Sequence, residues 1–382
     1  MRLHIWITAA LLLAGLLHAA VTPACLWDRD TRAMERQRFP SALELITGKF
    51  LRHSDEYYRW RVADRTARLE AGERTPELLD DLAVAHSKLG EDREAIELME
   101  LQETLHPGRY ETLANRGTFH VHAGDLEEGA RFIERALELN PDAHFGRERY
   151  QLWLVRYAQR RRAMEGAPRL PLHPSSESLG GGDRRNFWGF VAEQEGLDPR
   201  AAREHTDRIA AAVQGVLGML RFGNHDSPVL LEALSDLLLA DWNTDAKGLA
   251  ARALLRAAAS CEDPAARAAY RRKAKEALHM QTPSPGDSRS ITLEELEARL
   301  AVELEEAGAW WEELRAAELG WIEDGVDVDA HFEGRYRAAP RVSEGGAAGG
   351  PGVRQLLGVG MLALGLLAAV GALRASRRAR AA

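Results

Sequence analysis

Apolar residues recur along most of this chain at spacings of three and four, the period of an amphipathic helix. Residues 76–89 place Leu79, Leu82, Ala83 and His86 on one helical face. Thr75 supplies an N-cap and Pro76 a first helical residue. Gly90 turns the chain, and residues 92–105 predict a returning helix with the small Ala95 at the crossing; Pro107 ends it. The plan then repeats: helix over 110–123, Gly124, helix over 126–139, Pro141, with Gly117, Gly129 and Ala136 as small crossing positions. His86 and His120, Gly90 and Gly124, and Pro107 and Pro141 are each 34 residues apart. A fixed period of this length marks a helix–turn–helix solenoid unit.

The pattern continues on both sides. Residues 54–69 predict a helix, and Glu44 to Gly48 read as the end of a shorter one with Gly48 at its C-terminus. Residues 142–161 predict a further helix in which Ala158 stands at the turn position, so it reads as the capping helix. Prolines and glycines make 166–185 a linker. Beyond it Asp198-Pro199, Ser227-Pro228 and Asp263-Pro264 are helix starts, and Thr292 with Glu295 is a capping-box pattern. Helices are expected over 229–242, 246–260, 263–280 and 292–319, with a loop over 281–290. Long period-two runs are lacking, so the expected class is all-α: a helical solenoid domain over 26–165 and a second α-helical domain over 186–340.

The two ends change the picture. Residues 1–25 carry Arg2, an apolar stretch and then small residues, a secretory signal pattern; Thr22 leaves the lipidation box at Cys25 imperfect. Residues 341–352 are a flexible Gly-rich tether, and 353–374 predict a transmembrane helix: Leu356 to Leu373 are uncharged, and 18 helical residues span roughly 27 Å. Arg377, Arg378 and Arg380 lie in the basic tail, 375–382, which the positive-inside rule places in the cytoplasm with the body outside. The expected location is the bacterial inner membrane, with the body in the periplasm. Gly365 and Ala369, with Ala368 and Ala372, have small-residue spacing, a weak signal for a homodimer through the span.

The formal charge is −8 although several arginines sit at the apolar ends, so the middle is more acidic still, which argues against nucleic-acid binding. Two cysteines, Cys25 and Cys261, make neither a disulfide framework nor a zinc site. Trp27 with Asp28 and Asp30, the His120/His122 pair, and Asp324, Asp327 and Asp329 all lack metal-ligand spacing. His120 shares a register with His86 and reads as a packed core residue. Trp310, Trp311 and Trp321 lie among Glu303, Glu305, Glu306, Glu312 and Glu313, read as a solvated acidic face with aromatic anchors turned inward. No cofactor or phosphate-loop motif is present.

The run Leu82-Ala83, Gly90, Ala95, Pro107, then Gly117, Gly124, Ala136, Pro141, resembles the tetratricopeptide repeat over two copies, about 68 residues. His86 and His120 stand where that family prefers Tyr, and Arg116 where it prefers Leu. The opening Cys-Leu-Trp-Asp-Arg-Asp-Thr, with Glu35 and Pro40, is also similar to the start of uncharacterised exported, membrane-anchored bacterial proteins with such repeats. The resemblance implies a concave groove lined by Asp80, Asp81, Val84 and Lys88, then Asn115, Thr118 and His122, then Glu148, Arg149 and Arg156. Asn115 matches an asparagine of members that clamp a peptide carboxylate, but Asp80 and Val84 replace its Lys and Asn partners, which argues against a clamp. A mixed-charge groove suits an extended peptide or a partner helix; the plainer alternative is that it packs against the second domain. The expected function is a scaffold that holds another protein or peptide outside the cytoplasm, without catalysis or cofactor. The rival is an enzyme with its site between the two helical domains, around Trp188, Trp242 and Trp310.

Overall fold

Local sequence signals account for where the helices start. Ser41 and Thr292 each cap a helix through a complete capping box, and Ser54, Thr75, Asp125 and Asn186 each accept a backbone N–H in the first turn of theirs. The computed structural model describes residues 39–141, 146–164, 169–173, 185–240, 244–279 and 291–336. These fall within one compact unit, Met1–Ala339, and are all-helical. In chain order the helices are α1 (Ala42–Thr47), α2 (Asp55–Glu70), α3 (Pro76–Lys88), α4 (Asp92–Leu105), α5 (Tyr110–His122), α6 (Leu126–Leu139), α7 (Arg147–Arg162), α8 (Phe187–Glu195), α9 (Thr206–Phe222), α10 (Pro228–Ala240), α11 (Thr244–Ala259), α12 (Pro264–His279), α13 (Leu293–Glu323) and α14 (Val328–Tyr336).

The period of 34 corresponds to two antiparallel hairpins, α3–α4 and α5–α6. Leu79, Leu82, Ala83, Ala95, Met99, Leu113, Ile133 and Ala136 are all buried. The second hairpin depends on two glycines. A Cβ on Gly117 would lie 2.7 Å from Ile133 Cγ1 and 3.1 Å from the Gly129 carbonyl; one on Gly129 would lie 2.5 Å from Val121 Cγ2. Backbone therefore meets backbone at the α5–α6 crossing. His86 and His120 are not core residues, contrary to the register argument. Each is half-buried beside its turn, with His86 Nδ1 2.7 Å from Glu91 and His120 Nδ1 3.8 Å from Asp125. The cause is the turn itself, which brings an acid five residues on back over the histidine.

Asp198-Pro199 opens a short 3₁₀ turn, Pro199–Glu204, and α9 starts only at Thr206, after non-helical geometry at Ala201 and His205. The expected helix of 292–319 extends to Glu323, and α14 follows it. The expected acidic face is there: Glu305, Glu306, Glu312 and Glu313 are exposed, but Glu318 is fully buried.

One apolar core joins α1 (Leu45, Ile46) and α7 (Tyr150, Leu154, Tyr157) to α8–α12 and the start of α13, with Trp188 fully buried. Of the expected linker 166–185 only 169–173 and 185 are described, and Leu172 belongs to that core. At its centre Glu232 of α10 faces Lys273 of α12 at 2.7 Å, and both side chains are only 1% exposed. Glu232 also accepts from the Tyr270 hydroxyl (2.8 Å) and from the backbone N–H groups of Leu172 and His173 (2.8 and 3.0 Å). Burial depresses the Lys273 pKa, but Glu232 and Asp236 more than reverse this and hold it above the ordinary lysine value.

The long helix α13 returns to the start of the chain. Glu318 receives His53 Nδ1 (2.5 Å) and the Ser54 N–H (3.0 Å), and Arg315 forms a two-pronged ion pair with Glu56. Asp329 of α14 is then set among Tyr57, Arg61 and Arg65 of α2. Among the described residues no helix is long and apolar enough to cross a membrane. The expected signal (1–25), tether (341–352), span (353–374) and tail (375–382), with Trp27, Asp28 and Asp30, lie outside the described residues.

Replacing Gly129 by Ala is expected to lower stability by about 1–3 kcal/mol, the usual cost of overpacking, through separation of α5 from α6. Urea unfolding with an unchanged slope is the measurement; a midpoint within error of the wild type would refute this account of the crossing.

Candidate partner-binding site

Most of the expected groove residues are engaged inside the protein. Asp80 is fully buried. Its Oδ1 accepts from Gln102 Nε2 (2.8 Å) and Asn115 Nδ2 (3.3 Å), while Arg109 Nη1 lies 3.7 Å from Oδ2. Gln102 Nε2 also donates to Thr112 Oγ1 at 3.0 Å. The asparagine that the resemblance associates with a peptide carboxylate thus donates to a carboxylate of its own chain. Asp81 Oδ2 accepts from Arg65 Nη2 at 3.1 Å, and Arg65 also pairs with Asp329 of α14. Lys88 donates to the carbonyls of Phe222 and Gly223, both at 2.7 Å, and caps the C-terminal end of α9.

Further along, the Thr118 hydroxyl donates to the Ala114 carbonyl and accepts from Gln151 Nε2, both at 3.0 Å. His122 Nδ1 lies 3.1 Å from Ser87 Oγ, which donates to Asp92. Glu148 is buried beside Tyr110 and Arg147. Arg149 is exposed, and Arg156 pairs with Glu134 away from the inner face. The expected groove residues therefore form several separate polar clusters, not one continuous lining.

Beside these clusters lies a half-open cavity of about 280 Å³. Thr118, Val121 and His122 of α5 form one wall; Gln151, Leu154, Val155, Ala158 and Arg162 of α7 form the second. Met219 and Phe222 of α9 and Val229 and Leu230 of α10 close it. The walls are mainly aliphatic, and the volume is at the low end of ligand pockets, about 300–1,000 Å³. It accommodates one or two side chains or an equally small molecule. Of the expected residues, only Thr118 and His122 line it.

Glycines build the neighbourhood of this cavity. Gly215 and Gly218 let α9 press onto the first turns of α7: a Cβ on either would lie 2.5 Å from Tyr150 or Arg147. That Gly-x-x-Gly spacing in an apolar helix is the sequence signal that marks the packing of α9. Nothing in the 34-residue period identifies α9 and α10 as the far wall, because they lie outside the repeat. Trp188 donates its indole N–H to the Pro199 carbonyl (3.1 Å) within the main core. Trp310 packs in a separate cluster with Leu51, Leu314 and Phe332, and Trp242 lies outside the described residues. Neither Trp188 nor Trp310 lines the cavity. Among the described residues no group of three or more His, Cys, Asp or Glu is arranged to hold a metal ion.

Burial raises the pKa of Asp80 to about 8, against the opposing effect of Gln102 and Arg109. Burial likewise raises Glu148 to about 7, against Tyr110 and Arg147. Both groups bind their proton more tightly folded than unfolded. Their contribution to stability is therefore fully present below the ordinary carboxylate range and is lost as pH rises towards 8. Thermal unfolding is expected to show a midpoint that falls between about pH 5 and about pH 8.5, and Asp80→Asn with Glu148→Gln should flatten that slope. An equally steep slope in the double variant would assign it to other groups. No protein-family model matches this chain, and no curated protein or solved structure matches it either, so the functional reading rests on the residues and their geometry.

Proposed function

We propose that this chain is an exported, membrane-tethered scaffold that holds another protein or peptide outside the cytoplasm and has no catalysis of its own. The sequence patterns at 1–25 and 353–374 support export and a single C-terminal span, with the body in the periplasm of a bacterial cell and the tail in the cytoplasm. The repeat pattern supports a body made for holding a partner.

The observation that carries the binding reading is the cavity on the inner side of the second hairpin. Its polar wall groups are mutually engaged: Thr118 with Gln151, and His122 with Ser87. Such contacts shape and line a recess. Its aliphatic walls and small volume suit an anchor side chain of a partner segment, in the manner of a hot spot in a pocket.

Val229 is half-buried on the cavity wall, and Val229→Lys places a charge there. Crosslinking in the native cells followed by recovery of the full chain is expected to yield the partner with the wild type and with exposed-surface Arg149→Glu. Recovery should drop about tenfold or more with Val229→Lys at unchanged thermal midpoint. Equal recovery from a folded Val229→Lys chain would exclude the cavity as the capture site. A separate test concerns orientation: a reporter fused after Ala382 is expected to be active only as a cytoplasmic enzyme, and external activity would reverse the assigned topology.

A further inference from the structure

The chemistry of the cavity rim narrows the partner further, an inference that rests on the binding reading above. Three consecutive arginines end α7. Arg160 makes a two-pronged ion pair with Glu193 (2.7 and 3.0 Å), and Arg161 Nε donates to the Leu172 carbonyl at 2.6 Å. Arg162 instead lines the cavity and, among the described residues, has neither a hydrogen bond nor an ion pair. Its nearest charged influence is a like charge, Arg169, which is also exposed and unpaired among the described residues. None of the lining residues is acidic, in a chain with 58 acidic and 50 basic residues. Glu127, next to the lining Leu126, accepts from Gln159.

Cations in the last turn of a helix are favoured by the helix dipole, which accounts for an arginine near position 162. It does not account for an aliphatic recess whose lining includes an unpaired arginine and no acidic residue. A neutral apolar partner would leave this charge without a counter-ion beside the buried contact, whereas an acidic one neutralises it. We propose that the occupant is a peptide segment of the partner in which an aliphatic anchor side chain is flanked by carboxylates: the anchor enters between Val155 and Val229, and a carboxylate meets Arg162 at the rim.

The test uses the full chain in lipid nanodiscs and fluorescence anisotropy with three labelled hexapeptides, each with two central leucines flanked by aspartates, asparagines or lysines. The aspartate peptide is expected to bind about fivefold more tightly than the asparagine peptide, the scale of a half-exposed charge pair, and the lysine peptide most weakly. The preference should shrink as salt is raised and vanish in Arg162→Gln, while Val229→Lys abolishes binding of all three. Equal binding of aspartate and asparagine peptides would remove the acidic assignment and leave the cavity reading intact. Binding of all three unaffected by Val229→Lys, or of none of them at millimolar concentration, would remove both. Competition by free 4-methylpentanoate at equal concentration would show a small-molecule site and overturn the peptide assignment.

Discussion

A charged group buried in a helical core must find its partner there, and this requirement governs how the later helices of this protein close. Glu232 and Lys273 have no access to water, and desolvating them costs several kcal/mol each unless they meet. They meet only if α10 and α12 lie at the right register across α11. Tyr270, one turn before Lys273, adds a donor to the same carboxylate, and Leu172 and His173 contribute two backbone N–H groups. A chain stretch without regular structure is thereby pinned to the core, with Arg161 donating to the Leu172 carbonyl from the other side. The pair adds little net energy relative to an apolar core of equal volume, but it excludes every packing in which either charge is left alone.

The same rule shapes the repeat hairpins. Two hairpins are fewer than a free-standing solenoid needs, and the inner face they share with α7 would otherwise present Asp80, Asp81 and Glu148 to solvent. The fold places each against a donor. Asn115 and Gln102 hold Asp80 from within the array, and Arg65 reaches Asp81 while it also holds Asp329 of α14. Lys88 reaches out of the array to the end of α9. The inner-face charges are thus engaged by the chain's own residues, through Arg65 at one end and the end of α9 at the other, and a recess lies beside the later turns of α7.

This explains what was legible in the sequence. The hairpins follow from glycines and prolines whose effect stays within one hairpin: Gly90, Gly124 and Pro107 act where the chain turns or ends a helix, and Gly117 and Gly129 at the crossing of α5 and α6. The inner-face residues were legible as a register, because register is also local. Their role was not, because it depends on partners outside the repeat: Asp81 is held by Arg65, which also holds Asp329, and Lys88 by the carbonyls of Phe222 and Gly223. Likewise Glu318 sits in a run of glutamates and reads as one more solvated acid until His53 and Ser54 are placed beside it. The histidines at 86 and 120 mislead for the opposite reason. Their shared period is real, but it reflects a shared turn and its following acid rather than a shared place in the core.

The position of the cavity follows from where close packing ends. Gly215 and Gly218 remove the side chains that would hold α9 away from Arg147 and Tyr150, so the two helices touch along the first turns of α7. Arg147 lies over the Phe222 ring at 4.7 Å, and Lys88 fixes the carbonyls of Phe222 and Gly223, which anchors the wall at that end. After Gly223 the chain turns into α10, which brings Val229 and Leu230, half-buried and not fully packed, to face Leu154 and Val155. A recess walled by rigid helix ends and lined by aliphatic groups keeps its shape when empty and loses little entropy when filled. That is the property a capture site needs. It arises here from the contacts that closed the rest of the groove: had α9 not been drawn onto α7, the inner face would be a broad polar channel with no apolar recess in it.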